Sequence, residues 1–109
     1  MNTSYYSKYK GENAVSIARM CPKWFKGRDY KNLAPSYELF MKCKEDGDED
    51  YFARAYKNEV LDKLNAKDIY EDLGSNAVLL CWEGPNKFCH RHLVAEWFKN
   101  ELGIVITEL

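Results

Sequence analysis

The stretch AVLLCWEGPNKFCHRHLVAEWF, residues 77–98, decides how this chain folds. Residues 77–82 are continuously apolar, as in a strand covered on both faces; a strand with one wet face would alternate. Gly84 and Pro85 then set a tight turn. From about residue 89 to 102 the apolar positions recur at helical spacing. Leu93, Val94, Trp97, Phe98 and Leu102 define the buried face, and Gly103 stops the helix. The run IVITEL that follows reads as a further strand. A strand–helix–strand unit that ends with the fully apolar strand at 77–82 implies a parallel pair with a right-handed crossover.

Working outward, NTSYYSKY is aromatic and β-compatible and reads as a first strand running into a polar loop. Residues 14–19, AVSIAR, read as a second strand ending at Arg19. The segment MCPKWFKGRDYKNLAPS is punctuated by Pro22, Gly27 and Pro35. Its Trp24, Phe25, Tyr30 and Leu33 are too apolar for a flexible linker and are expected to lie over the core. Ser36 caps a helix, YELFMKCKEDG, ended by Gly47. Asp48 begins another, EDYFARAYKNEVLDKL, in which Tyr51, Phe52, Ala55, Tyr56, Val60, Leu61 and Leu64 share one apolar face. A short helix, AKDIYEDLG, leads back to the central stretch. The reading is one domain, residues 1–109. It is a small α/β fold in two or three layers, with about four mostly parallel strands and flanking helices.

The totals narrow the function. Sixteen Lys and Arg against seventeen Asp and Glu leave a formal charge of −1. An extended nucleic-acid surface normally shows a basic excess, so none is expected, whereas a local anion pocket fits this balance. MNTSYYSKYK has no apolar signal-peptide core and no apolar run is long enough to cross a bilayer. The expectation is a cytoplasmic protein without a membrane partner. Cys21, Cys43, Cys81 and Cys89 should then be reduced. None forms a Cys-x-x-Cys pair, which gives thioredoxin-like chemistry and zinc ribbons little support.

In open α/β sheets, ligands sit beyond the carboxyl ends of strands, facing helix N-termini, and CWEGPNKFCHRH occupies that place. On a helical wheel His90 projects near the middle of the buried face and Arg91 falls on its edge. His92, Glu96 and Lys99 face solvent. An inward arginine at a helix start is costly unless it meets an anion. Two partners are open: Glu83, nearest in sequence, or an anionic ligand. The same surroundings should lower the pKa of Cys89. Arg19 would lie along the same sheet edge if the second and third strands are neighbours. Cys81, at its strand end, and Tyr5, on the first strand, join the rim, although a cysteine ending an apolar strand is ordinarily a small core residue. A metal site from Cys81, Cys89, His90 and His92 is not expected, because successive helical residues diverge.

These residues resemble the signature of the "domain of unknown function 488" family, which has a strand ending Leu-Leu-Cys-x-Glu and then Cys-His-Arg opening a helix. Leu79, Leu80, Cys81, Glu83, Cys89, His90 and Arg91 carry the match. VSIARMCP, with Arg19 and Pro22, is similar to the family's second strand. TSYYSKYK, LAPSYELF and the Tyr-rich helix through Tyr56 resemble a compact subgroup, so the likeness covers nearly the whole chain. The chain departs from the pattern in its short link between strands one and two, which has no room for a helix. The resemblance implies a small Rossmann-like domain with a Cys-His-Arg site and supplies no reaction.

The leading expectation is an anion pocket for a nucleotide or other phosphorylated small molecule. Arg19 and Arg91 would hold the phosphate with helix N–H groups. Cys89 would be the nucleophile, His90 its proton partner and Glu83 an orienting carboxylate. A non-catalytic module sequestering a nucleotide-derived ligand uses the same pocket, and a purely architectural motif is the third reading. No cofactor or metal is called for. Trp24 and Tyr30 are candidates for a homodimer surface.

Overall fold

The chain's computed structural model describes residues 1–84 and 87–109. Local chemistry starts the first three helices where the sequence predicts. Helix α1 (Tyr37–Asp46) is capped by Ser36, whose Oγ accepts from the Leu39 N–H at 3.2 Å. Asp48 does the same for α2 (Glu49–Glu59), and Asn65 for α3 (Ala66–Leu73). Each thereby satisfies an N–H that has no partner inside the helix. Gly47 and Gly103 end α1 and α4 (His90–Leu102) at φ 66° and 68°, left-handed backbone that costs glycine nothing.

Among the described residues five strands form one sheet: β1 (Asn2–Tyr5), β2 (Ala14–Ser16), β3 (Arg28–Asp29), β4 (Val78–Cys81) and β5 (Thr107–Glu108). Their order is β3-β2-β4-β1-β5 and every pairing is parallel. The fold is thus the small Rossmann-like α/β domain the sequence indicates, with one strand more. That strand, β3, lies inside the segment read as a loop. Its two residues are charged and exposed, and only backbone pairing with Val15 and Ser16 defines it. The parallel pair expected to end in the apolar strand is β2 with β4, which lie side by side. Strands β4 and β5 are parallel but not neighbours, because β1 sits between them. The apolar strand β4 is central, paired on both edges and buried along its whole length.

The two faces of the sheet differ. The buried apolar residues of the four α-helices among the described residues join one cluster with Val15, Ile17 and Leu79. On the other face Ala14, Val78 and Leu80 meet Tyr6, Ala18 and the part-buried Tyr9 and Phe25, contributed by loops. The short β1–β2 link explains this: eight residues cross β4 without making a helix, and Tyr6, 2% exposed, fills the space a helix would take. Its hydroxyl is 2.6 Å from Ser16 Oγ, which satisfies both buried groups.

In the 20–36 segment Tyr30 and Leu33 are buried as expected, whereas Trp24 is 53% exposed. Tyr30 therefore drops out as a dimer-surface residue. On α2, Phe52 and Tyr56 face the core, and Tyr51 turns outward. The turn assigned to Gly84 and Pro85 falls partly on residue 85, outside the described residues. Among the described residues no helix is long and apolar enough to cross a membrane.

Candidate functional site

Strands β2 and β4 are neighbours in the register Val15↔Leu79, so their carboxyl ends lie side by side. The chain leaves β2 through Ala18, Arg19 and Met20, and β4 through Cys81, Trp82 and Glu83. Trp82 Nε1–H donates to the Met20 carbonyl at 2.7 Å and ties the two exits together. Over them α1 lays Tyr37, Phe40, Cys43 and Lys44, while the start of α4 brings Cys89 and His90. These groups, with Phe52 and Phe88, line a cavity of about 450 Å³.

The Cys-His-Arg run divides at this helix start. Cys89 is the N-cap, with extended backbone (φ −155°, ψ 146°), so it does not follow the helical wheel. Its sulfur reaches back to β4 and forms a disulfide with Cys81, eight residues earlier. This corrects the expectation of four reduced cysteines: Cys21 and Cys43 are free, and Cys81 and Cys89 are paired. The pair needs no Cys-x-x-Cys motif because the end of β4 and the cap of α4 bring the two sulfurs together. In this state Cys89 carries no thiol, and its role as a nucleophile requires reduction. The extended cap also overturns the divergence argument against a shared donor set. Cys81 Sγ, Cys89 Sγ and a ring nitrogen of His90 all lie within 4.8 Å of one another, and all three residues are buried.

His90 points inward as the wheel predicts. Its Nε2–H donates to the Ile17 carbonyl at 2.6 Å. A carbonyl can only accept, so this contact fixes the tautomer and leaves Nδ1 with its lone pair, 3.8 Å from Cys89 Sγ. Burial, opposed by the Ile17 contact and aided by the neighbouring Arg91 charge, pushes the His90 pKa down to about 4. The ring is thus a neutral base at ordinary pH. It packs on the edge of Tyr56, ring centres 5.5 Å apart.

Arg91 goes the other way. Its side chain is completely buried, and its five N–H donors match five acceptors. Nε and Nη2 donate to the two carboxylate oxygens of Glu108 at 3.1 and 2.9 Å, a bidentate pair. Nη1 donates to Cys81 Sγ at 3.3 Å and to the Glu83 carbonyl at 2.9 Å, and Nη2 to the Gly84 carbonyl at 3.1 Å. Glu108 also accepts from Thr3 Oγ1 at 2.6 Å. Burial works against the Glu108 carboxylate, but the Arg91 and Thr3 hydrogen bonds outweigh it and lower its pKa. The inward arginine does meet an anion. That anion is Glu108, neither Glu83 nor a ligand, and no guanidinium donor is left for a phosphate.

Among the residues expected in one pocket, Arg19, Cys81, Glu83, Cys89 and His90 line the cavity. Arg91 and Tyr5 belong to the opposite side of the helix start, where the guanidinium carbon lies 5.8 Å from the centre of the Tyr5 ring. Glu83 directs its backbone carbonyl to Arg91 while its exposed side chain stays on the cavity. Arg19 is exposed, with its guanidinium 5.2 Å from the Tyr37 ring centre. The half-buried His92 is less solvated than the wheel suggests, and burial lowers its pKa.

Three participants escaped sequence reading: Glu108, Lys44 and the aromatic side of α1. Only Glu108 left a usable sign, as the single carboxylate in a terminal strand of a sheet whose helix buries an arginine. A family model described as the active DUF488-N3 subclade, DUF488-N3a, matches residues 5–102. No curated protein and no solved structure gives a match.

Proposed function

The chain belongs to this DUF488 family, and from that premise we propose that the cavity beyond β2 and β4 binds a nucleotide or a related phosphorylated small molecule. The observation that carries the reading is that half of the eight exposed large apolar side chains among the described residues share one concave site. Met20, Tyr37, Phe40 and Trp82 are 74, 54, 39 and 56% exposed, and all four line this one cavity. Large apolar side chains gathered at a concave site, rather than scattered, mark a binding surface. Aromatic walls offer stacking faces to a planar base, worth about 1–3 kcal/mol for each stacked base. Arg19 and Lys44 supply the positive charge for the phosphate, in place of Arg91, whose donors are all taken.

Reduction of the disulfide frees Cys89 beside the unprotonated Nδ1 of His90. Thiol and base are then adjacent, as nucleophilic catalysis requires, with Glu83 as an acid–base carboxylate across the cavity. Titration calorimetry of the reduced protein against nucleoside phosphates, cyclic nucleotides and inorganic phosphate tests the reading. Nucleotides should bind, phosphate alone much more weakly, and Trp82→Ala should weaken nucleotide binding about tenfold. Equal affinity for phosphate and nucleotides, or none for either, rejects it. Chromatography of the bound mixture then separates catalyst from sequestering module by the appearance of product.

A further inference from the structure

We propose that Cys81 and Cys89 are a redox-active pair that exchanges with small anionic thiols entering the cavity. Both cysteines line the cavity although they are only 1 and 3% exposed, so the opening is the approach to the bond. Its two ends are not equivalent. Arg91 Nη1–H points at Cys81 Sγ from 3.3 Å and stabilises negative charge there, which makes Cys81 the better leaving group. Cys89 has the lone pair of His90 Nδ1 beside it at 3.8 Å, an acceptor for the hydrogen of its thiol once the bond opens. Around the opening stand Arg19 and Lys44 against Glu83, a net positive charge with His90 neutral. That balance favours a thiol carrying carboxylates over one carrying an amine.

The chemistry closes on itself. A first thiolate attacks Cys89 Sγ, forming a mixed disulfide as the Cys89–Cys81 bond breaks and Cys81 leaves as a thiolate against Arg91. A second thiolate attacks the outer sulfur of that adduct and releases Cys89. Two small thiols become one small disulfide, and the protein pair gains two electrons. One proton ends on Cys89 and one in solvent. Run backwards, a small disulfide oxidises the pair. The inference goes beyond the nucleotide reading and does not depend on it.

The test is an equilibrium titration of the full chain in dithiothreitol redox buffers, with alkylation and peptide mass spectrometry. Cys81 and Cys89 should pass together in one two-electron transition while circular dichroism stays native, with Cys21 and Cys43 alkylated throughout. Cys81→Ser should trap glutathione from glutathione disulfide on Cys89. Native protein in its reduced form should be oxidised about tenfold faster by glutathione disulfide than by cationic cystamine, an advantage lost in Arg19→Glu. The proposal is overturned if the pair opens only on unfolding, if the reduced pair never reoxidises, or if cystamine reacts as fast. It also falls if reduced protein takes up one zinc ion and resists oxidation until the zinc is chelated. The wild-type titration stands if Cys81→Ser does not fold.

Discussion

Residues 89, 90 and 91 are consecutive, yet they serve two regions with opposite characters. On the Arg91 side every donor has an acceptor, the acceptor carboxylate has a second donor in Thr3, and the assembly knits α4 to β1, β4 and β5. On the Cys89–His90 side a sulfur and an unprotonated nitrogen are left facing a cavity edged by exposed aromatics and two cations. A saturated polar network specifies structure, whereas an under-committed one leaves chemistry available. The difference arises from one residue of backbone. Cys89 is extended and His90 is helical, so the two side chains turn to the cavity, while the next helical step carries Arg91 to the far side.

The largest expected effect lies in the saturated half. Arg91→Ala leaves Glu108 charged without its partner and strips hydrogen bonds from two carbonyls, at a cost of about 3–5 kcal/mol. Urea unfolding measures it, and Arg91→Ala combined with Glu108→Ala should cost less than the two single changes added together. A loss below about 1 kcal/mol for Arg91→Ala, on a scale where surface changes cost under 0.5, erases the distinction between the halves.

Acid comes next. His90 is neutral when folded, with a pKa near 4, and titrates near 6.5 when unfolded. Between those values the unfolded chain binds the extra proton, so stability falls as pH drops from about 6.5 towards 4 and is regained on raising it. The full window is worth about 3 kcal/mol at roughly 1.4 kcal/mol for each pH unit. His92, also lowered, acts in the same direction. Glu108 adds its loss only below the ordinary carboxylate range, since its folded pKa is depressed. Denaturation midpoints across pH 4–7 should therefore flatten in His90→Gln, and an unchanged slope sinks the assignment.

The smallest stability change belongs to the open half. Arg19→Ala should alter unfolding free energy by under about 0.5 kcal/mol, as an exposed side chain does. Its nucleotide affinity should nevertheless fall about tenfold, as expected when one charge-assisted contact of about 1.4 kcal/mol is removed. Loss of stability without loss of affinity would assign Arg19 to the architecture instead.

The parts of the molecule legible in the sequence are those with local causes. Ser36, Asp48, Gly47 and Gly103 each mark an element end through a backbone group within four residues, and all act there. The apolar run 77–82 announces a central strand because burial on both faces leaves no polar position. Long-range partners left no such mark. Arg91 states its need for an anion, but choosing Glu108 over Glu83 requires knowing that β5 pairs with β1 in the register Thr3↔Glu108. Strand β3 is invisible for a related reason: two charged residues carry no pattern, and only the neighbouring backbone makes them a strand. The wheel placed His90 well and failed for Cys89, where helical geometry had not yet begun.

The bidentate pair between Arg91 and Glu108 spans seventeen positions. Strand β5 has two residues and α4 has thirteen, yet the shorter element supplies the carboxylate that balances the buried guanidinium at the start of the longer one. Stripping β5 from the edge of the sheet would therefore leave an uncompensated charge in the interior, so this short edge strand governs the electrostatics of the helix.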